Sequence, residues 1–180
     1  MRIVAGEFRG RQLKSPTWDG LRPTSDRLRE TLFNILGPSV RGARVLDGYA
    51  GTGAVGIEAL SRGAAAVTFV ERDPRAVKLI EANLAQLGAT GAIIRAGLAD
   101  AVARLSGQVF DVIILDPPYA DTAAAEALEA AHALASDGTR VVVEHATRHN
   151  PPAHASGLRL TRTVTAGDSA LSFYEHLEHL

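Results

Sequence analysis

From Ala43 onward the chain alternates short apolar runs with longer amphipathic stretches, and few architectures accept that pattern. The apolar runs at 44–49, 66–71, 92–96, 110–115 and 140–145 read as strands. Between them, 54–62, 74–87, 98–105 and 122–134 carry helical periodicity. Strands alternating with helices imply a parallel, doubly wound sheet. The tail breaks the rule. Residues 159–164 and 170–177 are β-rich and joined only by Ala166-Gly167-Asp168-Ser169, too short for a crossover helix, so this pair is expected to be antiparallel. The expectation is an α/β, Rossmann-like fold, with a mostly parallel seven-stranded sheet ending in an antiparallel hairpin.

The region before the alternation differs. Residues 2–14 alternate loosely around Gly6 and Gly10 and predict a β-hairpin carrying Arg9, Arg11 and Lys14. Residues 1–20 are expected to form this small extension, and 21–180 the main domain. Thr24 or Ser25 can cap a helix whose first turn holds Asp26, suited to the positive end of the dipole. Leu28, Leu32, Ile35 and Leu36 form one apolar face, and Gly37-Pro38 ends it. Arg22, Arg27 and Arg29 fall off that stripe and are expected to face outward. Residues 1–44 hold nine basic side chains against four acidic ones, a net +5. The whole chain carries −1, which leaves −6 for the remainder. A basic arm on an acidic body suits a polyanion such as nucleic acid, or is simply an Arg-rich solvated surface.

At 180 residues with 46% apolar content the chain can bury a real core. It has no cysteine, so disulfides and thiol chemistry are excluded. No apolar run reaches the length of a membrane span and no signal-like segment opens the chain, so a cytoplasmic protein is expected. The six histidines lack metal-ligand spacing, and no metal is expected. His145 ends an apolar strand, where a structural role outweighs a functional one.

Two segments carry chemistry. Val112-Ile113-Ile114-Leu115 reads as a buried strand, and Asp116-Pro117-Pro118-Tyr119 follows it. Ordinary βα loops use Gly, Ser or Asn. Here two prolines stiffen the backbone and remove N–H donors. Asp116 when ionised only accepts hydrogen bonds, and Tyr119 offers a flat face. Together they suit a planar group that donates protons, such as the exocyclic amine of a nucleobase; otherwise the loop is only rigid.

The second segment is Asp47-Gly48-Tyr49-Ala50-Gly51-Thr52-Gly53-Ala54-Val55-Gly56, after the first strand. Gly51, Gly53 and Gly56 fit the dinucleotide pattern, and Glu71 ends the second strand where a carboxylate can accept from ribose hydroxyls. A nicotinamide enzyme would fit this much. Asp47, however, would repel a pyrophosphate and attract a cation. S-adenosylmethionine has a ribose for Glu71, a cationic end for the loop and no phosphate. For its adenine, the stretch Leu98 to Asp100 after the third strand could supply a backbone N–H or a carboxylate, or merely begin a helix.

These features together resemble the class I methyltransferases that use S-adenosylmethionine, and more closely the RsmD family of 16S rRNA guanine-N2 methyltransferases. The similarity includes Arg2-Ile3-Val4-Ala5-Gly6, Phe8-Arg9-Gly10-Arg11, Arg22-Pro23-Thr24, Asp26-Arg27, Arg29-Glu30-Thr31-Leu32-Phe33-Asn34 and Glu58 to Gly63. Asp116 to Tyr119 occurs in many amino-methyltransferases; the stretch from Arg22 to Asn34 is far more specific. The resemblance implies S-adenosylmethionine held by Asp47, Ala50, Gly51, Thr52, Gly53, Glu71 and Leu98. It implies catalysis at Asp116, Pro117, Pro118 and Tyr119, and RNA contacts from Arg9, Arg11, Arg22, Thr24, Arg27 and Arg29. It further implies a monomer acting on 16S rRNA in an assembled or assembling small subunit. N6-adenine methylation of DNA or RNA uses the same amine-gripping loop, so it stays open at this stage, as does a non-catalytic RNA-binding module.

Overall fold

A computed structural model describes residues 1–21, 23–120 and 122–177. After helix α1 (Asp26–Leu36) and a 3₁₀ turn (Gly37–Val40), the strands and helices alternate. They run β1 (Arg44–Gly48), α2 (Ala54–Ser61), β2 (Ala66–Glu71), α3 (Pro74–Leu87), β3 (Ala92–Arg95), α4 (Leu98–Arg104), β4 (Val112–Leu115), α5 (Ala123–His132) and β5 (Arg140–Ala146). Three further strands close the chain: β6 (His154–Ala155), β7 (Leu158–Ala166) and β8 (Ser169–His176).

All lie in one sheet of order β3-β2-β1-β4-β5-β8-β7-β6. The first five pair in parallel, while β8 runs antiparallel to both β5 and β7. The eighth strand, β6, departs from the seven expected. It is two residues long, too short to leave a period in the sequence, and pairs with the start of β7. Strand order reverses between β1 and β4, so their carboxyl ends flank a crevice, the usual ligand position in an open α/β sheet.

Each face of the sheet is covered. On one, Leu28, Leu32, Phe33 and Leu36 of α1 join Ile57 of α2 and Ile80 and Leu84 of α3 over Val45, Ile114 and Val142. On the other, Ala101 of α4 and Leu128 of α5 cover Leu46, Ile113 and Val143. Burial on both faces is why these strands read as continuous apolar runs. The Ser25 hydroxyl caps α1 by accepting from the Leu28 N–H at 3.1 Å. Asp73 caps α3, with Pro74 in its first turn.

The N-terminal extension forms the short hairpin expected, reduced to one antiparallel bridge. Its two arms pair antiparallel at the Arg2–Gln12 bridge, with Ile3 N–H donating to the Arg11 carbonyl at 3.0 Å, Leu13 N–H to the Met1 carbonyl at 3.0 Å and Gly10 N–H to the Ile3 carbonyl at 2.8 Å. The segment is also stitched to α2 and α3. The buried Glu58 carboxylate accepts from the N–H groups of Val4 and Ala5 at 2.9 and 3.0 Å, and Ser61 Oγ donates to the Ala5 carbonyl at 2.6 Å. Asn83 Oδ1 accepts from Lys14 N–H at 2.7 Å. Helix side chains satisfy donors that a second strand would otherwise have to satisfy. Ile3 and Leu13 sink into the same core as α1.

Gly6 is the tightest point of that docking. It has φ +85°, and a Cβ there would lie 1.9 Å from the Ser61 carbonyl oxygen. Gly10 has a similar φ of +80° but open space around it. Gly6→Ala should therefore cost about 1–3 kcal/mol beyond the loss in Gly10→Ala, which shares only the backbone strain. Denaturant midpoints and protease nicking within the first 14 residues would measure both.

Candidate functional site

At the end of β1 the chain makes a left-handed sequence of turns, with Tyr49 at φ +62°, Gly51 at +56° and Gly53 at +78°. A tyrosine in that region is strained, and such residues concentrate at functional sites. Gly53 turns the chain into α2. Gly56 lets that helix approach the sheet, because a Cβ there would come within 2.3 Å of the Phe69 ring.

Asp47 sits beneath this loop with only 3% of its surface exposed. Its Oδ2 accepts from the Gly56 N–H at 2.8 Å. Burial pushes its carboxyl up to about 8; the Gly56 bond opposes this, and the nearby Glu71 charge adds to it. A cationic ligand group would supply a counter-charge and favour the ionised carboxylate. Glu71 Oε2 accepts from Gly51 N–H, and Oε1 from Asp73 N–H, both at 2.8 Å. These bonds fix the carboxylate at the loop's edge and leave lone pairs for further donors.

Asp116 follows β4 and is half-buried. Its N–H donates to the Gly48 carbonyl at 3.4 Å, joining the two loops. Pro117 is buried and Pro118 exposed. The Tyr119 hydroxyl bonds Ser169 Oγ at 3.0 Å and donates to Glu144 Oε1 at 3.4 Å. Tyr119 is 37% exposed. Asp47, Ala50, Gly51, Thr52, Glu71 and Asp116 to Tyr119 all line one cavity of about 780 Å³.

The residues lining the cavity include neither Gly53 nor Leu98, two of the expected cofactor contacts, and Arg29 lies away from its expected place. Arg29, expected on the outer face of α1, is fully buried. Its Nη2 donates to the Arg2 carbonyl at 2.6 Å and to Asp26 Oδ1 at 2.7 Å. With Phe33 one turn on, the covered face of α1 is wider than the leucine stripe suggested. Arg29 therefore ties α1 to the N-terminal segment and offers nothing to a polyanion. Leu98 packs in the second core cluster, near Gly48, and is not part of the cavity wall. Asp100 is exposed in the first turn of α4. Arg9, Arg11 and Arg27 are exposed; Arg11 donates to the Gln86 carbonyl at 2.8 Å. Thr24 lines the cavity and donates to Glu144 Oε2 at 3.3 Å, an inner position rather than an outer one. Arg22 lies outside the described residues. His145 is buried, with Nδ1 on the Ala146 carbonyl and Nε2 on Ser172 Oγ. Since a carbonyl only accepts, Nδ1 carries the proton.

Sequence reasoning missed Glu144 and the cavity's outer rim. There the Arg75 guanidinium, paired with Asp73 at 2.8 Å, lies 5.0 Å over the Trp18 ring. Glu144 left a signal: it ends an apolar run, as Asp116 does. Among the described residues no helix is long and apolar enough to cross a membrane.

The profile of a family described as conserved hypothetical protein 95 matches residues 1–175. Ribosomal RNA small subunit methyltransferase D of Escherichia coli (strain K12) is 36% identical over 177 residues, covering 97% of this chain and 89% of that protein. The protein of the same name from Haemophilus influenzae is 43% identical over 123 residues, covering 66% and 64%. The solved structure of Escherichia coli yhhF superposes with a TM-score of 0.87 at 35% identity, covering 99% of both chains. With the crevice between β1 and β4 and its two loops, this similarity over nearly the whole length shows that the chain belongs to the family of ribosomal RNA small subunit methyltransferase D.

Proposed function

We propose that the chain transfers a methyl group from S-adenosylmethionine to the exocyclic N2 amine of a guanine in the 16S RNA of the small ribosomal subunit, acting as a monomer on the assembled or assembling particle. The observation that carries this reading is that the Asp47–Gly53 loop, Glu71 and the Asp116–Tyr119 loop open on one cavity. Its size is that of a site for a cofactor-sized ligand together with a base. Bound S-adenosylmethionine supplies an electrophilic methyl group on a sulfonium centre.

The chain's own residues do the rest. Asp47 provides negative charge for the cationic methionine end, and Glu71 accepts from the ribose hydroxyls. A paired base cannot enter such a crevice, so it is flipped or already unpaired, at roughly a few kcal/mol. Stacking on Tyr119 offsets about 1–3 kcal/mol of this. The N2 lone pair is delocalised into the guanine ring. Asp116 and the Pro117 carbonyl accept its two N–H bonds, draw the nitrogen toward tetrahedral geometry and hold its lone pair toward the methyl group. As positive charge reaches the amine, Asp116 stabilises it. No residue of the loop is required to remove the final proton, which can pass to water.

Arg9, Arg11 and Arg27 would hold RNA phosphates, which position without reading sequence. Replacing Arg9 and Arg11 together by Ala should weaken RNA binding and flatten the slope of log K against log salt by about 1.5–2. Filter binding across a salt series measures it. The reaction itself is tested with small-subunit particles from a strain lacking the activity. Labelled methyl groups should appear in N2-methylguanosine after nuclease digestion. Label in N6-methyladenosine would refute the guanine assignment.

A further inference from the structure

Glu144 belongs to no part of that reaction, yet it lies beside the loop that grips the amine. Leu115 of β4 pairs with Val143 of β5 in parallel register, so Asp116 and Glu144 are the next residues of neighbouring strands. Residues paired across parallel strands point to the same face. Ile114 and Val142, two positions earlier, both enter the cluster under α1, which is the face that carries the cavity. Glu144 is only 8% exposed and lines the cavity. Its carboxylate accepts from Thr24 Oγ1 at 3.3 Å and from the Tyr119 hydroxyl at 3.4 Å. Both bonds are long for a carboxylate acceptor.

We propose that Glu144 reads the base by accepting the N1–H of the target guanine, making it the residue that selects guanine over adenine; this rests on the proposed guanine-N2 reaction. Guanine presents two adjacent donors on one edge, N1–H and the N2 amine. Asp116 and Glu144 present two acceptors side by side, on strands about 4.8 Å apart. Adenine presents its amine next to an N1 lone pair, which would face the Glu144 carboxylate without a hydrogen between them. A site built to accept a substrate N–H rejects an analogue lacking it far more strongly than an apolar pocket rejects a shape change. Thr24 and Tyr119, each bonded to one oxygen, hold the carboxylate in plane with the base. Thr24 thereby links the start of α1 to base choice, which gives a specific form to the RNA contact that the resemblance implies for it.

The test uses the full chain and small-subunit particles reconstituted with rRNA carrying 2-aminopurine at the mapped target position. That base keeps the 2-amine but has a bare N1. Wild type should methylate guanine and reject 2-aminopurine by at least about a hundredfold in kcat/KM. Glu144→Gln, whose amide can donate to N1 as well as accept, should bring the two substrates to within about tenfold. Adenosylhomocysteine binding, unchanged in the variant, certifies its fold. Equal use of both bases by wild type would overturn the proposal whatever the variant does. So would a Glu144→Gln that slows both substrates by one factor and preserves their ratio, since that marks a residue that only supports Tyr119. Failure of the guanine-N2 reaction itself would show separately, as absence of N2-methylguanosine from the wild-type guanine control.

Discussion

Asp116→Ala should lower kcat by about 10²–10³-fold while leaving adenosylhomocysteine affinity and RNA binding close to wild type. The size follows from removing one preorganised group aimed at charge that develops during reaction. The selectivity follows from geometry. The Asp116 N–H that joins the loop to Gly48 belongs to the backbone and survives the substitution. Pro117 and Pro118 keep the loop stiff, and Tyr119 keeps its bonds to Ser169 and Glu144. Asp116→Asn retains one acceptor oxygen and should fall between the two. Single-turnover transfer rates, with calorimetry for binding, separate these effects. Undiminished methylation by Asp116→Ala would remove Asp116 from the mechanism.

Asp47→Asn should cost about a hundredfold or more in adenosylhomocysteine affinity, because it withdraws the buried charge that faces the ligand's ammonium. Its pH behaviour is more telling. With the free carboxyl pushed up to about 8, binding a cation below that pH requires Asp47 to lose a proton. Wild-type affinity should therefore rise with pH, by at most tenfold per unit, and level off near 8; the variant should show no such rise. Stability runs the other way. The folded carboxyl titrates far above its ordinary value, so its contribution is fully present below about pH 4 and is lost as pH rises through about 8. Asp47→Asn escapes that loss. Relative to wild type it should gain stability progressively from about pH 4 to 8, while binding ligand less well. Calorimetric titrations and chemical unfolding at several pH values check both halves.

Much of this architecture was legible because local chemistry and burial agree. Strand Ala66–Glu71 and helix Pro74–Leu87 have the bounds expected, since an apolar run buried on both faces and an Asp-Pro start leave little choice. Glu71, Asp47 and Asp116 were visible as carboxylates at strand ends. What escaped depends on partners distant in sequence. Glu58 sits 54 residues from Val4, whose N–H it accepts, so nothing local distinguishes the docked segment from a free hairpin. Arg29 looks like a surface cation until Arg2 and Asp26 fold over it. Glu144 acquires meaning only when β5 lies in register beside β4. Leu98 begins its helix where expected but turns its side chain to the core.

The central claim, that one crevice brings a methyl donor and a base amine together, is tested most directly by a crystal structure with adenosylhomocysteine. The ribose hydroxyls should lie about 3 Å from Glu71, the ammonium should lie by the Asp47–Gly53 loop, and the sulfur should face Asp116. Adenosylhomocysteine bound outside this cavity, or turned so that its adenine rather than its sulfur meets Asp116, would contradict the account.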